Sequence, residues 1–492
     1  MGMTLTSATS AQRTELGTLG PKTVRIRWSV WAVALISSVS GFCSLLYQVI
    51  WERTVRYNFG GDSISSAIVT ATFLLGLGLG AYIFGRSRRE AFRSYALVEL
   101  SIGLFALVSF NLISSVSDIL AKLLQTRPEG MEGLRPAVII GCILLLLPPC
   151  TLIGGTLPLM FRCFIVSSEG LGRKIGLIYG LNTLGAALGI LAAPFVFMNN
   201  LTLPQVLTFA GCTNIFLSLL IWQQRPNGAR RITAPEQYDS PRVISEDFGG
   251  TILGIAFFSG FIAISLEVLL FRALPIVNPS SAYNFPAVLA PFLLALALGS
   301  IVFTRGLPES NEAILRRIGG LMMGSAVAML VRIWASAYLR FRGYPVSFLP
   351  ILEGSFDHRT IFFVIVFAAV LVMPVPLCNG AIFPLLVRLR ASGNDLSQAT
   401  GKIYLVNSIG SFAGAMLANF IGLPFLGTKA YLTLLYAISC IGGIFIASNF
   451  RLQPKYQSRR AILATALLAA GVRGFPPFQN AVRSMADVHL WC

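Results

Sequence analysis

Acidic residues are scarce in this chain: its 492 residues carry 20 Asp and Glu against 38 Lys and Arg, and charged residues make up only 12%. A soluble domain carries about 25%, so an ordinary water-exposed fold is excluded. Histidine is scarcer still, with only His358 and His489, both outside the apolar segments. Seven of the eight cysteines, Cys43, Cys142, Cys150, Cys163, Cys212, Cys378 and Cys440, lie within or at the ends of those segments, and C-x-x-C occurs nowhere. No His/Cys cluster therefore has the spacing of a haem or zinc site, no disulfide framework is expected, and no cofactor is implied. A nucleophile with its base and a phosphate loop are also missing, which argues against an enzyme acting alone. Gly76, Gly78 and Gly80 form G-L-G-L-G inside a continuous apolar run with no preceding strand and turn, so a dinucleotide loop fails its structural context.

What the chain has in abundance is apolar length. Hydrophobic residues make up 55% and the mean hydropathy is 0.74. Runs of the length needed to cross a hydrocarbon core, about 20 residues, fall at 29–51, 64–85, 94–115, 136–161, 175–197 and 203–222, and again at 250–271, 283–303, 318–338, 360–387, 401–425 and 428–449. This predicts an all-α polytopic membrane protein of about twelve spans. Lys and Arg concentrate in the N-terminal tail and on the same side of alternate spans, at Arg86, Arg88, Arg89, Arg173, Lys174, Arg230, Arg231, Arg316, Arg317, Lys402, Arg459 and Arg460 among others. Positive-inside bias then puts both termini in the cytoplasm. The net charge of +18 follows from that topology and from anionic headgroups, so no nucleic-acid partner is expected; the lipid bilayer is the partner the composition demands.

The chain also repeats itself. Ser40-Gly41-Phe42, Arg53 and Phe73 to Gly80 recur 219 residues later as Ser259-Gly260-Phe261, Arg272 and Phe292 to Gly299. Gly154-x-x-x-Pro158-x-x-x-Arg162 matches Gly380-x-x-x-Pro384-x-x-x-Arg388, and Gly176-x-x-Tyr179-x-x-Asn182-x-x-Gly185-x-x-x-Gly189 matches Gly401-x-x-Tyr404-x-x-Asn407-x-x-Gly410-x-x-x-Gly414. Self-similarity at a long period, here about 220 residues, sets the architecture before any local signal is read. It divides the chain into a disordered cytoplasmic tail (1–28), a first six-helix repeat (29–222), a cytoplasmic linker (223–249), a second six-helix repeat (250–450) and a cytoplasmic C-terminal tail (451–492). An even number of spans per repeat makes the two copies parallel, the relation between the halves of major-facilitator transporters.

In duplicated transporters, Gly/Pro-interrupted spans at corresponding positions point to the binding site. The fourth span has Pro148-Pro149, Thr151, Gly154, Thr156 and Pro158; the tenth has Pro374, Pro376, Asn379, Gly380 and Pro384. Proline removes an amide donor, so carbonyls near Leu144 and Val370 are expected to be freed, and lipid cannot satisfy them. Gly154, Pro158, Gly380 and Pro384 read equally as packing and kink residues. The first and seventh spans end in Tyr47, Gln48, Trp51, Glu52 and Arg53, and in Glu267 and Arg272. Gln48 and Glu267 are repeat equivalents. An ionised carboxylate at full membrane depth costs roughly 2.5 kcal/mol or more, so Glu267 is expected to have a partner, either Arg272 or a cationic substrate. If transport is proton-coupled, Glu267 is the first candidate to carry the proton. Trp51, Arg53 and Arg272 read as headgroup-level anchors. Asn182 and Asn407, each three residues after a tyrosine, are expected to bond between helices, and the G-x-x-x-G pairs to be close-packing faces.

These blocks, namely Ser40-Gly41-Phe42 with Tyr47, Trp51 and Arg53, Phe73 to Gly80, Gly154-x-x-x-Pro158 and Tyr179-x-x-Asn182-x-x-Gly185 with their second-copy partners, resemble the membrane module of the fused major-facilitator/spermidine synthase-like proteins over about residues 30–450. In many members of that family an aminopropyltransferase-like domain of Rossmann type follows. Here the 42 residues after position 450 contain no strand, glycine loop and helix unit, and the apolar stretch from Ala461 to Val472 is too short for a span. The catalytic domain is expected to be absent, and aminopropyl transfer with it.

The resulting expectation is a transporter-like protein of a bacterial inner membrane that binds or moves a small polar or cationic metabolite through a central cavity, with polyamines implied only by the resemblance. Glu267, Gln48, Tyr47, Thr151, Thr156, Asn379, Asn182, Asn407 and Glu99 are the candidate contacts. The alternative is a non-catalytic scaffold that recruits a soluble, spermidine synthase-like enzyme through loops 223–248 and 451–460.

Overall fold

The computed structural model describes residues 30–59, 62–125, 131–165, 170–223, 249–273, 284–306, 310–341, 373–391 and 396–449. The two tails, the body of the linker and the start of the tenth span lie outside the described residues. The helices are α1 (Val30–Phe59), α2 (Asp62–Gly85), α3 (Ala91–Gln125), α4 (Met131–Phe164), α5 (Leu171–Ala192), α6 (Leu203–Gln223), α7 (Gly249–Ala273), α8 (Asn284–Phe303), α9 (Asn311–Phe341), α10 (Pro374–Asn379), α11 (Ile382–Arg390), α12 (Leu396–Leu417) and α13 (Gly427–Asn449). Eight helical stretches among the described residues are long and apolar enough to cross a membrane, joined by shorter apolar helices at Val69–Gly85, Val288–Phe303 and Ala430–Ile446. Helices are what such a sequence must form, because a backbone in lipid has to satisfy its polar groups internally.

The packing repeats as the sequence does. In the first half α2 lies on α4, α1 on α5, and α3 on α6 and α4; in the second, α8 lies on α10, α7 on α12, and α9 on α13 and α10. The halves meet through α5 with α8 and α2 with α12, two interfaces related by the same pseudo-symmetry. Glycine makes these approaches. A methyl group at Gly185 would strike the Ser38 carbonyl and one at Gly189 that of Phe42, while their equivalents Gly410 and Gly414 face the carbonyls of Phe257 and Phe261. Gly154 and Gly380 likewise face the carbonyls of Leu77 and Leu296, and Gly80 and Gly299 those of Thr151 and Leu377. Without a hydrophobic drive between helices, backbone contact of this kind supplies the dispersion energy that associates them.

Two details depart from the sequence expectation, and a third bears it out. The fourth span is not interrupted: α4 runs unbroken through Pro148, Pro149 and Pro158. Gly76 and Gly80 of α2 press on Cys150 and Thr151 just past the Pro148-Pro149 pair, so the neighbouring helix braces the kink-prone segment. The tenth span does break, between α10 and α11. Pro384 cannot donate to the Gly380 carbonyl, although the Gly380 amide still reaches Pro376 O at 2.8 Å. Lastly, α5 and α12 each end in a π-helical stretch, Ala193–Phe197 and Ala418–Leu426. The two begin at equivalent positions and contain Pro194 and Pro424. Such π segments recur at functional places in helices.

Candidate functional site

Gln48 on α1 and Glu267 on α7 occupy matching positions, Gln48 buried and Glu267 half-buried. Neither side chain makes a hydrogen bond or ion pair among the described residues. The Arg272 side chain, expected beside Glu267, lies outside the described residues. Arg53 is half-buried, and Glu52 sits 3.7 Å from Arg56, one turn on, so this end of α1 has its own ion pair.

Tyr47 and Trp51 do not face the lipid: both are buried in the bundle. α1 continues two turns past Trp51, to Phe59, which carries both aromatics inside the bundle. Their rings stack at 5.3 Å between centroids, the Trp51 indole N–H donates to Ser109 Oγ of α3 at 3.1 Å, and Trp51 is 0% exposed. A membrane-interface role for Trp51 is thereby replaced by a packing role.

Tyr47 leads into a polar network that joins α1, α3 and α6. Its hydroxyl donates to Asn214 Oδ1 at 2.9 Å, the Asn214 amide donates to Glu99 Oε2, and Ser40 Oγ donates to Glu99 Oε1 at 2.8 Å. Glu99 is 0% exposed. Glu99 and Tyr47 thus come together inside the first half, on the side of α1 that meets α3 and α6. Asn214 and Ser40 were not singled out as contacts in the sequence; an asparagine in mid-span was the available signal for Asn214, but spacing alone does not relate three separate helices.

The remaining candidates divide by helix. Thr151 and Thr156 bond back to their own helix, Thr151 Oγ1 to Leu147 O and Thr156 Oγ1 to Ile153 O, both at 2.8 Å. Asn379, at the break between α10 and α11, accepts Ser325 Oγ of α9 at 3.0 Å, and its buried Nδ2 has no partner among the described residues. Asn407 donates to Ala256 O of α7 at 3.0 Å, an interhelical bond. Asn182 presents its backbone carbonyl and Oδ1 to Gly41. Arg332 of α9, which the sequence reading passed over, holds a buried Nη1 with no partner among the described residues.

Toward the end of the bundle where α2 and α8 finish and α5 and α12 begin, the halves are tightly joined. Ser300 Oγ donates to Gly176 O at 2.8 Å, Gly401 lies on the Ala81 carbonyl and Gly85 on that of Ser397. Between them Phe383 of α11 packs its ring against the equivalent tyrosines Tyr179, at 4.8 Å, and Tyr404, at 5.4 Å. An aromatic cluster therefore sits where the pseudo-symmetry relates the halves.

No family model matches the chain. Over 217 residues it is 21% identical to a protein named polyamine aminopropyltransferase from Mycobacterium tuberculosis, a match covering 42% of this chain and 39% of that protein; the Mycobacterium bovis protein of the same name matches equally. The chain thus spans about two-fifths of the length of the curated relatives it matches. Among solved structures, the human organic anion transporter MFSD10 (TETRAN) aligns with a TM-score of 0.50 at 12% identity, over 85% of this chain and all of that one. A double-tryptophan mutant of XylE aligns with a TM-score of 0.51 at 11% identity, over 88% of this chain and 98% of that one. The fold is that of major-facilitator transporters.

Proposed function

We propose that this protein is a membrane transporter that takes a small polar or cationic metabolite into the space between its two six-helix halves. The observation that carries this reading is the pair Gln48 and Glu267. A carboxylate and an amide stand at equivalent positions on α1 and α7, with no side-chain bond among the described residues, so both have hydrogen-bonding capacity free for a ligand. A buried or half-buried carboxylate in a span is costly unless it serves such a partner, and a cation is its natural complement. Each of these helices packs on two helices of its own half that reach the other half, α1 on α2 and α5, α7 on α8 and α12. Positive-inside bias assigns the joined end, at Gly176, Gly401 and Phe383, to the cytoplasmic side, so the arrangement described is the one closed toward the cytoplasm.

Polyamines enter as the first substrates to try, on two grounds: the family resemblance and the partial likeness to proteins named polyamine aminopropyltransferase. The same likeness supports a second reading, a scaffold that recruits a soluble enzyme of polyamine chemistry to its basic cytoplasmic loops. Uptake of labelled spermidine, putrescine and a neutral control into proteoliposomes, with and without a pH gradient, separates the two. Saturable uptake of a polyamine that is lost in Glu267→Gln is expected. Absence of uptake under every gradient, with a soluble aminopropyltransferase co-purifying until loops 223–248 and 451–460 are deleted, decides for the scaffold.

A further inference from the structure

The two halves serve as controls for one another, because residues that the fold itself requires should recur in both. The glycine contacts do recur. The polar network of the first half does not. At the offset of 219 residues Tyr47 becomes Leu266, 0% exposed, and Ser40 becomes Ser259, while α9, the counterpart of α3, carries no acidic residue beyond Glu312 in its first turn. At the offset of 225 residues that relates α6 to α13, Asn214 becomes Ser439, 1% exposed. The second half therefore packs with leucine in place of Tyr47 and with no carboxyl group within the helix that corresponds to α3, so a carboxyl group is not needed to build a unit of this kind.

Glu99 nevertheless stands there, 0% exposed and with no cation beside it among the described residues. Its two oxygens accept one O–H, from Ser40, and one N–H, from Asn214. The titratable groups around it are Cys43 and Tyr47 of α1 and Tyr95 one turn earlier on α3, with Cys212 of α6 beside Tyr47 and Cys163 of α4 beside Tyr95. None of these is basic. An uncompensated carboxylate at this depth is expensive, and a proton removes the charge without adding an atom that needs space. A metal cation fits less well, since Asn214 turns its N–H, and not its oxygen, toward the carboxyl group.

We propose that Glu99 is a proton-binding site, a carboxyl group that takes up and releases one proton within the membrane, with Ser40 and Asn214 as its fixed partners. In the charged form both partners donate to it. In the neutral form the new O–H on Oε1 donates to Ser40 Oγ, whose hydroxyl rotates away, while the Asn214 amide keeps its place. Exchange with water requires α1 to shift against α3 and α6. Tyr47, at the other end of the network, directly precedes Gln48, so a ligand that displaces α1 at Gln48 disturbs the hydrogen bonds around Glu99. That link to uptake rests on the transport reading; the protonation itself does not.

Infrared difference spectroscopy of the full chain in liposomes, titrated with buffer pH and compared in light and heavy water, tests the site. The carbonyl stretch of a neutral carboxylic acid is expected in the native protein and in Glu267→Gln, and is expected to vanish in Glu99→Gln. A triple variant with an apolar network position as in the second half, Tyr47→Leu with Glu99→Met and Asn214→Ser, guards against a simple failure to fold and is expected to lack the band as well. A band that persists in Glu99→Gln or in the triple variant, or that is missing from the native protein, overturns the assignment. If the band behaves as expected while no substrate is taken up, the transport reading fails and the proton site stands.

Discussion

The backbone carbonyl of Asn182 lies directly over the α-carbon of Gly41, so close that a methyl group there would overlap its oxygen. The same contact is made in the second half by Asn407 over Gly260. Two helices, α1 and α5, are thereby joined backbone to backbone near mid-span, and the same holds for α7 and α12.

Gly41→Ala and Gly260→Ala are each expected to destabilise the protein by about 1–3 kcal/mol, the usual cost of forcing a methyl group into a packed contact. Gly254, on α7 with nothing within 4 Å of an added Cβ, is the control. Gly254→Ala is expected to be neutral or stabilising by up to about 1 kcal/mol through helix propensity. Thermal unfolding in detergent micelles reads all three, and equal effects at Gly41 and Gly254 would remove close approach as the explanation.

Trp51→Phe retains a ring to stack on Tyr47 but removes the N–H that Ser109 accepts. A loss of about 1 kcal/mol is expected for the hydrogen bond, again by unfolding in detergent, with Trp51→Phe and Ser109→Ala failing to add. Additive losses would show that the two side chains act independently.

Phe383→Ala takes out the ring between Tyr179 and Tyr404. The joined end of the bundle is expected to loosen by about 1 kcal/mol, the scale of an aromatic pair, which is about fivefold in an opening equilibrium. A cysteine introduced at Ser408, which packs on Gly78 across the interface between halves, should then react with a thiol reagent several-fold faster than in the native background. An unchanged rate would mean that the glycine contacts alone keep this end shut.

Much of the architecture was legible from the repeat. Matching spaced blocks in the two halves of the sequence related Gly154 to Gly380 and Asn182 to Asn407, and each pair has the same backbone neighbours in both halves. Helix continuity was less legible, because α4 and the tenth span carry similar prolines and only the tenth breaks; the difference is made by what packs on each. Trp51 was misplaced because the apolar run ends near it, whereas the helix extends through Glu52, Arg53 and Arg56 by forming an ion pair. The Glu99 network could not be read at all. Its members are 59 and 115 residues apart along the chain, and only the bundle brings them into reach.

The preference of α1 for α5 also sets the order in which the protein can be made. A ribosome delivers the chain from its N-terminus, so α1 enters the bilayer three helices before its principal partner. Until α5 arrives, the Ser37 hydroxyl lacks the Ile178 carbonyl that accepts it at 3.0 Å, and the glycine face of α1 is covered by lipid alone. Through that interval α1 can pack only on α2, α3 and α4, and its closest backbone contacts, at Gly41, Ser38 and Phe42, form only when α5 arrives.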